Sequence, residues 1–429
     1  MLDVVLTVTR GVHFAAVLGL EGAIVFHVLV AGPVLPVSVT HRNLEKSFRL
    51  TAASLWGVAV LSGGAWLLVL AGQIGGTTAS DAFRQGVDWT LLTGTQFGIS
   101  WIFRAAIAGL LGLTLLVGDR VSHGRPVYSA AAVILGVALA ATLAWSGHGA
   151  ATPGRIGDVH LAADIVHLIA SGLWVGALLP LAMVLRLACR GDVSMQSATD
   201  VTRRFTNLAT VSVAFIFLSG IVNSWVLVGN VSALTGSLYG RLLLAKIALF
   251  LLMLGFAAFN RIGLTPRMAS EAPGAARQLA INSCVELGLG LAVLAIVGVL
   301  GTLQPASHHH VMASAGIPDD AAFVHIHGND AMADVSVEPG HVGNATVTVR
   351  VLDDDLSELS ARSVRVTLTP PSGAAAPVSR EAIYQPDGSW QADGIDLPEA
   401  GNWMVKLFVS VSTGSLPVLD APIVIAPRR

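Results

Sequence analysis

The most chemically loaded stretch of the 429-residue chain reads HLAADIVHLIASGLWVGALLP, in which His160, Asp164, His167, Ser171 and Trp174 follow one another at spacings of four, three, four and three. On an α-helix these spacings put all five side chains on one face. Two neutral imidazoles with a carboxylate between them can bind a borderline metal directly, or the carboxylate can orient one ring through its second nitrogen. The same stripe also serves as a polar seam that packs one helix against another. His148 in SGHGA, just upstream, and His13 in TRGVHF, near the N-terminus, are further nitrogen donors. The two cysteines, Cys189 and Cys284, lie far apart in sequence and form no thiolate cluster, so a metal here would be held by nitrogen, oxygen or methionine sulfur.

A second group of metal-capable side chains lies towards the C-terminus: His308, His309, His310 and Met312, then His325, His327 and Met332. The HxH pair on a strand would present both rings to one face. Such tracts bind copper, nickel or zinc in many contexts, and they also occur as plain solvated segments. With eight methionines in the whole chain, histidine must carry most of any coordination.

The elements that hold these residues follow from composition. Only 12% of the chain is charged, 53% is apolar, and the mean hydropathy is +0.70, which excludes a soluble enzyme filling the whole length. A net charge of −2 offers no basic field for nucleic acid. Apolar runs at roughly 5–31, 50–72, 96–118, 127–147, 159–185, 206–229, 241–259 and 280–303 are each long enough to cross a bilayer core of about 30 Å. The expected fold is therefore a membrane all-α bundle of eight transmembrane helices. The first run follows an acidic residue and has no basic leader, so it is expected to remain as a helix rather than be cleaved.

Cationic loops are held on the cytoplasmic side during insertion. One alternate set of loops holds Arg42, Lys46, Arg49, Arg120, Arg125, Arg186, Arg190, Arg203, Arg204, Arg261, Arg267 and Arg277, and the other little beyond Arg84 and Arg155. The N-terminus and everything after about residue 304 are thus expected outside, in the periplasm of a bacterium. From about 322 the pattern changes to period-two segments such as ATVTVRVL and WMVKLFVSV between Pro, Gly and Asp breaks. The expected domains are a helical unit over 1–304, a His-rich linker over 305–321, and a small extracytoplasmic all-β, immunoglobulin-like sandwich over 322–429.

An ionisable group inside a bilayer costs about 2.5–3.5 kcal/mol on insertion scales and needs a partner or a purpose. Glu21 near the middle of the first helix and Glu286 in the eighth suggest a translocation or proton path. Arg104 and Lys246 read as structural ion pairs with Asp164, Glu21 or Glu286, because two cations beside a metal site would repel the metal. No phosphate-binding loop or other nucleotide motif is visible, so ATP is not expected to drive this chain directly, and no catalytic residues are assigned.

Several segments taken together resemble one family: SGHGA ending a helix, HLxADxxHLxASGLWVGALLP, RRFTNLA, YGRLLLAKIALF with AFNRIG, and a glutamate in the last helix. They are similar to the copper resistance protein D family of bacterial inner-membrane proteins, over most of residues 1–305. The resemblance implies a multi-pass protein that moves copper ion across the inner membrane, usually inward. It also implies outer histidines as ligands, with His148, His160 and His167 leading. The segment VEPGHVGNATVTVRVLDDD and the GNWMVKL strand resemble the YtkA/FixH-type β-domain fused to some members. The copper-binding β-domain that precedes the first helix in longer fused members is missing, which implies delivery by a periplasmic copper-binding protein or by the C-terminal domain. Beside lipid, these are the expected partners. Two other readings stand beside transport: a membrane haem protein ligated by pairs among His13, His27, His148, His160 and His167, and a periplasm-facing copper chaperone that binds metal without moving it.

Overall fold

In a lipid core every backbone N–H and C=O must find an internal partner, so long apolar runs fold as helices. The computed structural model describes residues 2–35, 39–74, 78–94, 96–118, 125–147, 154–228, 231–270, 272, 274–303, 318, 320–327, 331–353, 357–371, 376–411 and 417–428. Among these residues eight helices are long and apolar enough to cross a membrane: α1 (Val4–Ala31), α2 (Asn43–Ile74), α3 (Phe97–Gly118), α4 (Pro126–Ser146), α5 (Arg155–Cys189), α6 (Met195–Val228), α7 (Leu238–Ala269) and α8 (Ala275–Leu300). Several run past the apolar segments that announce them, because polar ends continue the helix outside the lipid-length core. α1 is the most enclosed of the eight and packs against α2, α4, α5 and α8.

Small residues let α1 and α5 meet backbone to backbone. A Cβ added at Gly22 would lie 2.3 Å from the Gly176 carbonyl carbon and 2.4 Å from the Gly172 oxygen, so neither helix could keep its place with a larger residue there.

Three of the helices contain a widened π turn: Phe26–Ala31 in α1, Gly172–Gly176 in α5 and Asn260–Leu264 in α7. Each is followed within four residues by a proline, Pro33, Pro180 or Pro266, which has no N–H to give to the preceding turn. Carbonyls in these turns find other donors. Arg204 donates to the Leu29 oxygen at 3.2 Å, and the Thr265 hydroxyl donates to the Asn260 oxygen at 2.8 Å. At the end of α4 the helix tightens instead into a 3₁₀ turn over Thr142–Ser146.

The second unit is all antiparallel β-sheet. Its strands are β1 (Ala322–His327), β2 (Met332–Glu338), β3 (Gly343–Leu352), β4 (Ala361–Thr369), β5 (Val378–Tyr384), β6 (Trp390–Leu397), β7 (Gly401–Val411) and β8 (Val418–Ile425). They lie in the order β1-β2-β3-β6-β5-β4-β7-β8 and form one nearly closed sheet, with β1 again close to β8. Alternate residues of β3 and β7 are buried, as the period-two pattern requires. Val347, Val349, Val364, Val366, Leu407 and Trp403 fill the interior, and the Trp403 indole donates to the Glu399 carbonyl at 2.9 Å. The expected membrane bundle followed by an all-β domain is what the chain forms.

Candidate functional site in the helical bundle

The stripe on α5 divides along its length. His160 is fully buried, with Nε2 3.8 Å from Asp164 Oδ2. Asp164 Oδ1 accepts a hydrogen bond from the Asn223 amide on α6 at 2.6 Å. One turn on, His167 Nδ1 lies 3.0 Å from the Ser219 hydroxyl, whose own hydrogen goes to the Phe215 carbonyl at 2.5 Å. Ser219 therefore accepts, Nδ1 carries the proton, and Nε2 keeps its lone pair as an electron donor. Asp164 and His167 border a cavity of about 790 Å³ that is also lined by Lys246, Tyr239 and Arg10. Lys246 lines this cavity with Asp164 and His167 but makes no ion pair within 4.0 Å among the described residues.

His13, on α1, sits beside the packed Trp66 and Trp101 rings, with centroids 5.7 Å away in each case. Its Nδ1 donates to the Ala59 carbonyl at 2.9 Å, so here too Nε2 carries the lone pair, and among the described residues that atom is buried without a hydrogen-bond partner. Arg104 is buried above the Trp101 ring, at 4.9 Å, and donates to the Thr142 carbonyl at 2.6 Å and the Ser146 hydroxyl at 2.7 Å. The expected ion pair with Asp164, Glu21 or Glu286 is thus replaced, among the described residues, by carbonyls, hydroxyls and indole faces. The 3₁₀ end of α4 supplies the oxygens, because a tightened last turn leaves its carbonyls open, and Trp66 and Trp101 supply the rings from α2 and α3. Arg10, which the sequence reading passed over, joins the same cluster: it donates to the Gly301 and Ser146 carbonyls, each at 2.8 Å. An arginine inside an apolar run was the signal that marks it.

Glu21 is fully buried, and neither carboxylate oxygen has a hydrogen-bond partner among the described residues. It rests against the π turn of α5, at the spot a Cβ on Gly172 would occupy. Glu286 accepts from the Asn260 amide at 2.5 Å, and Asn260 in turn accepts from Asn282 at 2.7 Å. This chain borders a second cavity of about 230 Å³, lined also by Thr202, Thr206, Thr210 and Ser283. Trp174, buried in the α5 π turn and edge-on to Phe250, borders both cavities.

Among the described residues, no three His, Cys, Asp or Glu side chains come together as a group able to hold a metal ion. The expected set of His13, His148, His160, Asp164 and His167 is therefore gathered only as the His160–Asp164 pair and the cavity-lining Asp164 and His167. His148, like His308, His309, His310 and Met312, lies outside the described residues. In the β unit His325 pairs with Asp334 across β1 and β2. His327 closes β1, and its side chain lies outside the described set. Met332 is buried as well, on the face of β2 that it shares with Asp334, opposite the face that Ala333, Val335 and Val337 turn to the core, and it is in register with His327 of β1.

Eight helices of membrane-crossing length, with buried ionisable groups and cavities among them, define a multi-pass membrane protein. The family model for copper resistance protein D matches residues 199–300, and that for its N-terminal domain matches residues 1–158. The chain is 41% identical over 224 residues to copper resistance protein D of Pseudomonas syringae pv. tomato, covering 50% of this chain and 71% of that protein. It is 30% identical over 298 residues to the inner membrane protein YebZ of Escherichia coli, covering 69% and 97%. It is 27% identical over 334 residues to the copper transport protein CutJ of Bacillus subtilis, covering 76% and 58%. The chain belongs to the copper resistance protein D family.

Proposed function

We propose that this protein carries copper inward across the bacterial inner membrane, with its N-terminus and β unit on the periplasmic side. The observation that carries the reading is the convergence of Asp164 and the His167 Nε2 lone pair on one large cavity inside the bundle, in a family whose relatives are named for copper resistance and copper transport. Copper enters that cavity, meets the imidazole and the carboxylate held by Asn223, and is passed beyond Trp174 to the oxygen-lined cavity at Glu286. His160 acts through Asp164, setting the carboxylate's position beside the lone pair of His167. An ionised carboxylate with no partner is costly in an apolar interior, so Glu21 is suited to exchange a proton or meet a cation in transit. The β unit resembles the YtkA/FixH-type domain and, with its histidine tract, receives copper from a periplasmic copper-binding protein.

The test is copper accumulation over time in cells lacking their own uptake route, for the wild type, His160→Ala, His167→Ala and Asp164→Asn at equal membrane abundance. Accumulation above the empty vector, abolished by His167→Ala and Asp164→Asn, supports import. Accumulation below the vector level indicates export. A purified protein with a haem Soret band, or copper binding without any change in accumulation, rejects transport.

A further inference from the structure

Two arginines in the bundle converge on one residue and, among the described residues, have no carboxylate. Arg10 reaches the Ser146 carbonyl and Arg104 the Ser146 hydroxyl, and their guanidinium carbons lie 5.5 and 5.8 Å from the same Trp66 ring. Neither forms an ion pair within 4.0 Å among the described residues. Other membrane arginines are tolerated because an acid, a carbonyl or water compensates the charge. Here carbonyls and hydroxyls take five of the N–H groups, indole faces lie beside the guanidinium groups, and the two positive charges are left side by side.

The donors left over are specific. Arg10 Nε, Arg104 Nη1 and Trp101 Nε1 are all buried with no acceptor among the described residues, and Arg104 as a whole is 2% exposed. The Ser146 hydroxyl accepts from Arg104 and so has its hydrogen available as a fourth donor. His13 Nε2 adds one lone pair at the edge of the group. Several unused donors around paired positive charges call for an acceptor that brings negative charge. A water molecule would satisfy some of the hydrogen bonds and leave both charges uncompensated.

We propose that the cage of Arg10, Arg104, Trp101 and Ser146 binds a compact anionic group, either a small inorganic anion or the phosphate of an anionic lipid. Bound there, the anion joins α1, α3 and α4 through their arginines and the Ser146 turn. It also lowers the positive field that Arg10 projects into the larger cavity, where Lys246 already adds a second cation. The site stands apart from the copper reading and is testable without copper.

The full-length protein, purified in neutral detergent and stripped of lipid, is titrated with sodium chloride or sodium phosphate against sodium gluconate at constant ionic strength, and its thermal transition is followed. A saturable rise is expected. Trp101→Phe keeps the ring and loses the donor, and should raise the half-saturating concentration roughly tenfold or more, the worth of one hydrogen bond to a charged group. Arg104→Lys should do the same. A second arm adds phosphatidylglycerol in mixed micelles and counts lipid retained by the undelipidated protein in native mass spectrometry. One retained anionic lipid per chain, lost in both variants, assigns the headgroup as the source; a salt response without retained lipid assigns the free anion. A wild type that responds to neither salts nor phosphatidylglycerol, or responds just as Trp101→Phe does, overturns the proposal and leaves water in the cage.

Discussion

The α1–α5 contact gives a sharp structural prediction. Gly22→Ala places a methyl 2.3 Å from the Gly176 carbonyl carbon, 2.4 Å from the Gly172 oxygen and 2.5 Å from the Ala177 nitrogen. Ordinary contact begins near 3.4 Å, so the helices must part by about 1 Å, and every obstructing atom is backbone rather than a side chain able to swing aside. Overpacking of this kind costs about 1–3 kcal/mol even where side chains can adjust. Glu21 packs against Gly172 and Trp174 lies within the same Gly172–Gly176 turn, so the displacement also disturbs the residue that borders both cavities. Gly64→Ala, on α2, is the matched control: its added Cβ meets nothing within 4 Å, and the helix gains up to about 0.5–1 kcal/mol from losing a glycine. Thermal transitions in detergent should fall by several degrees for Gly22→Ala and hold or rise for Gly64→Ala. Equal transitions for the two variants would refute the close approach and the placement of Glu21 that depends on it.

Asn260→Leu removes the donor to Glu286 and the acceptor for Asn282 together, leaving two buried polar groups unsatisfied; a loss of about 2 kcal/mol or more is expected in thermal unfolding, with Asn282→Ala costing less. Asn223→Ala frees Asp164 Oδ1 and should cut copper accumulation severalfold at unchanged membrane abundance, whereas an unchanged rate would remove Asp164 from the path. Trp403→Ala empties the centre of the β unit and should cost about 3–5 kcal/mol, seen as rapid proteolysis of the C-terminal segment while the helical unit stays resistant.

Hydropathy and period-two alternation were enough to read eight helices and a terminal all-β unit, because burial in lipid and burial in a sheet each impose a periodic requirement on sequence. The α5 stripe was legible for the same reason, since spacings of three and four fix a shared face. What the stripe touches was not, because Asn223 and Ser219 reach it from a helix more than fifty residues away. Arg10 needed partners 136 and 291 residues distant to acquire a role. The ion pair expected of Arg104 gave way to the open carbonyls of a 3₁₀ turn, a local geometry that composition does not announce. The π turns had a visible cue in Pro33, Pro180 and Pro266, but a widened turn changes which face follows it, so a straight-helix projection loses register beyond Gly172.

The central claim is that copper passes through the cavity bordered by Asp164 and His167. The most direct test is copper influx into liposomes holding the purified full-length protein and an internal copper-sensitive dye, for the wild type, His167→Ala and Asp164→Asn. The account predicts protein-dependent influx that falls at least tenfold in both variants while Gly64→Ala keeps the wild-type rate. Influx no faster than in protein-free liposomes, or equal in all four proteins, would contradict it.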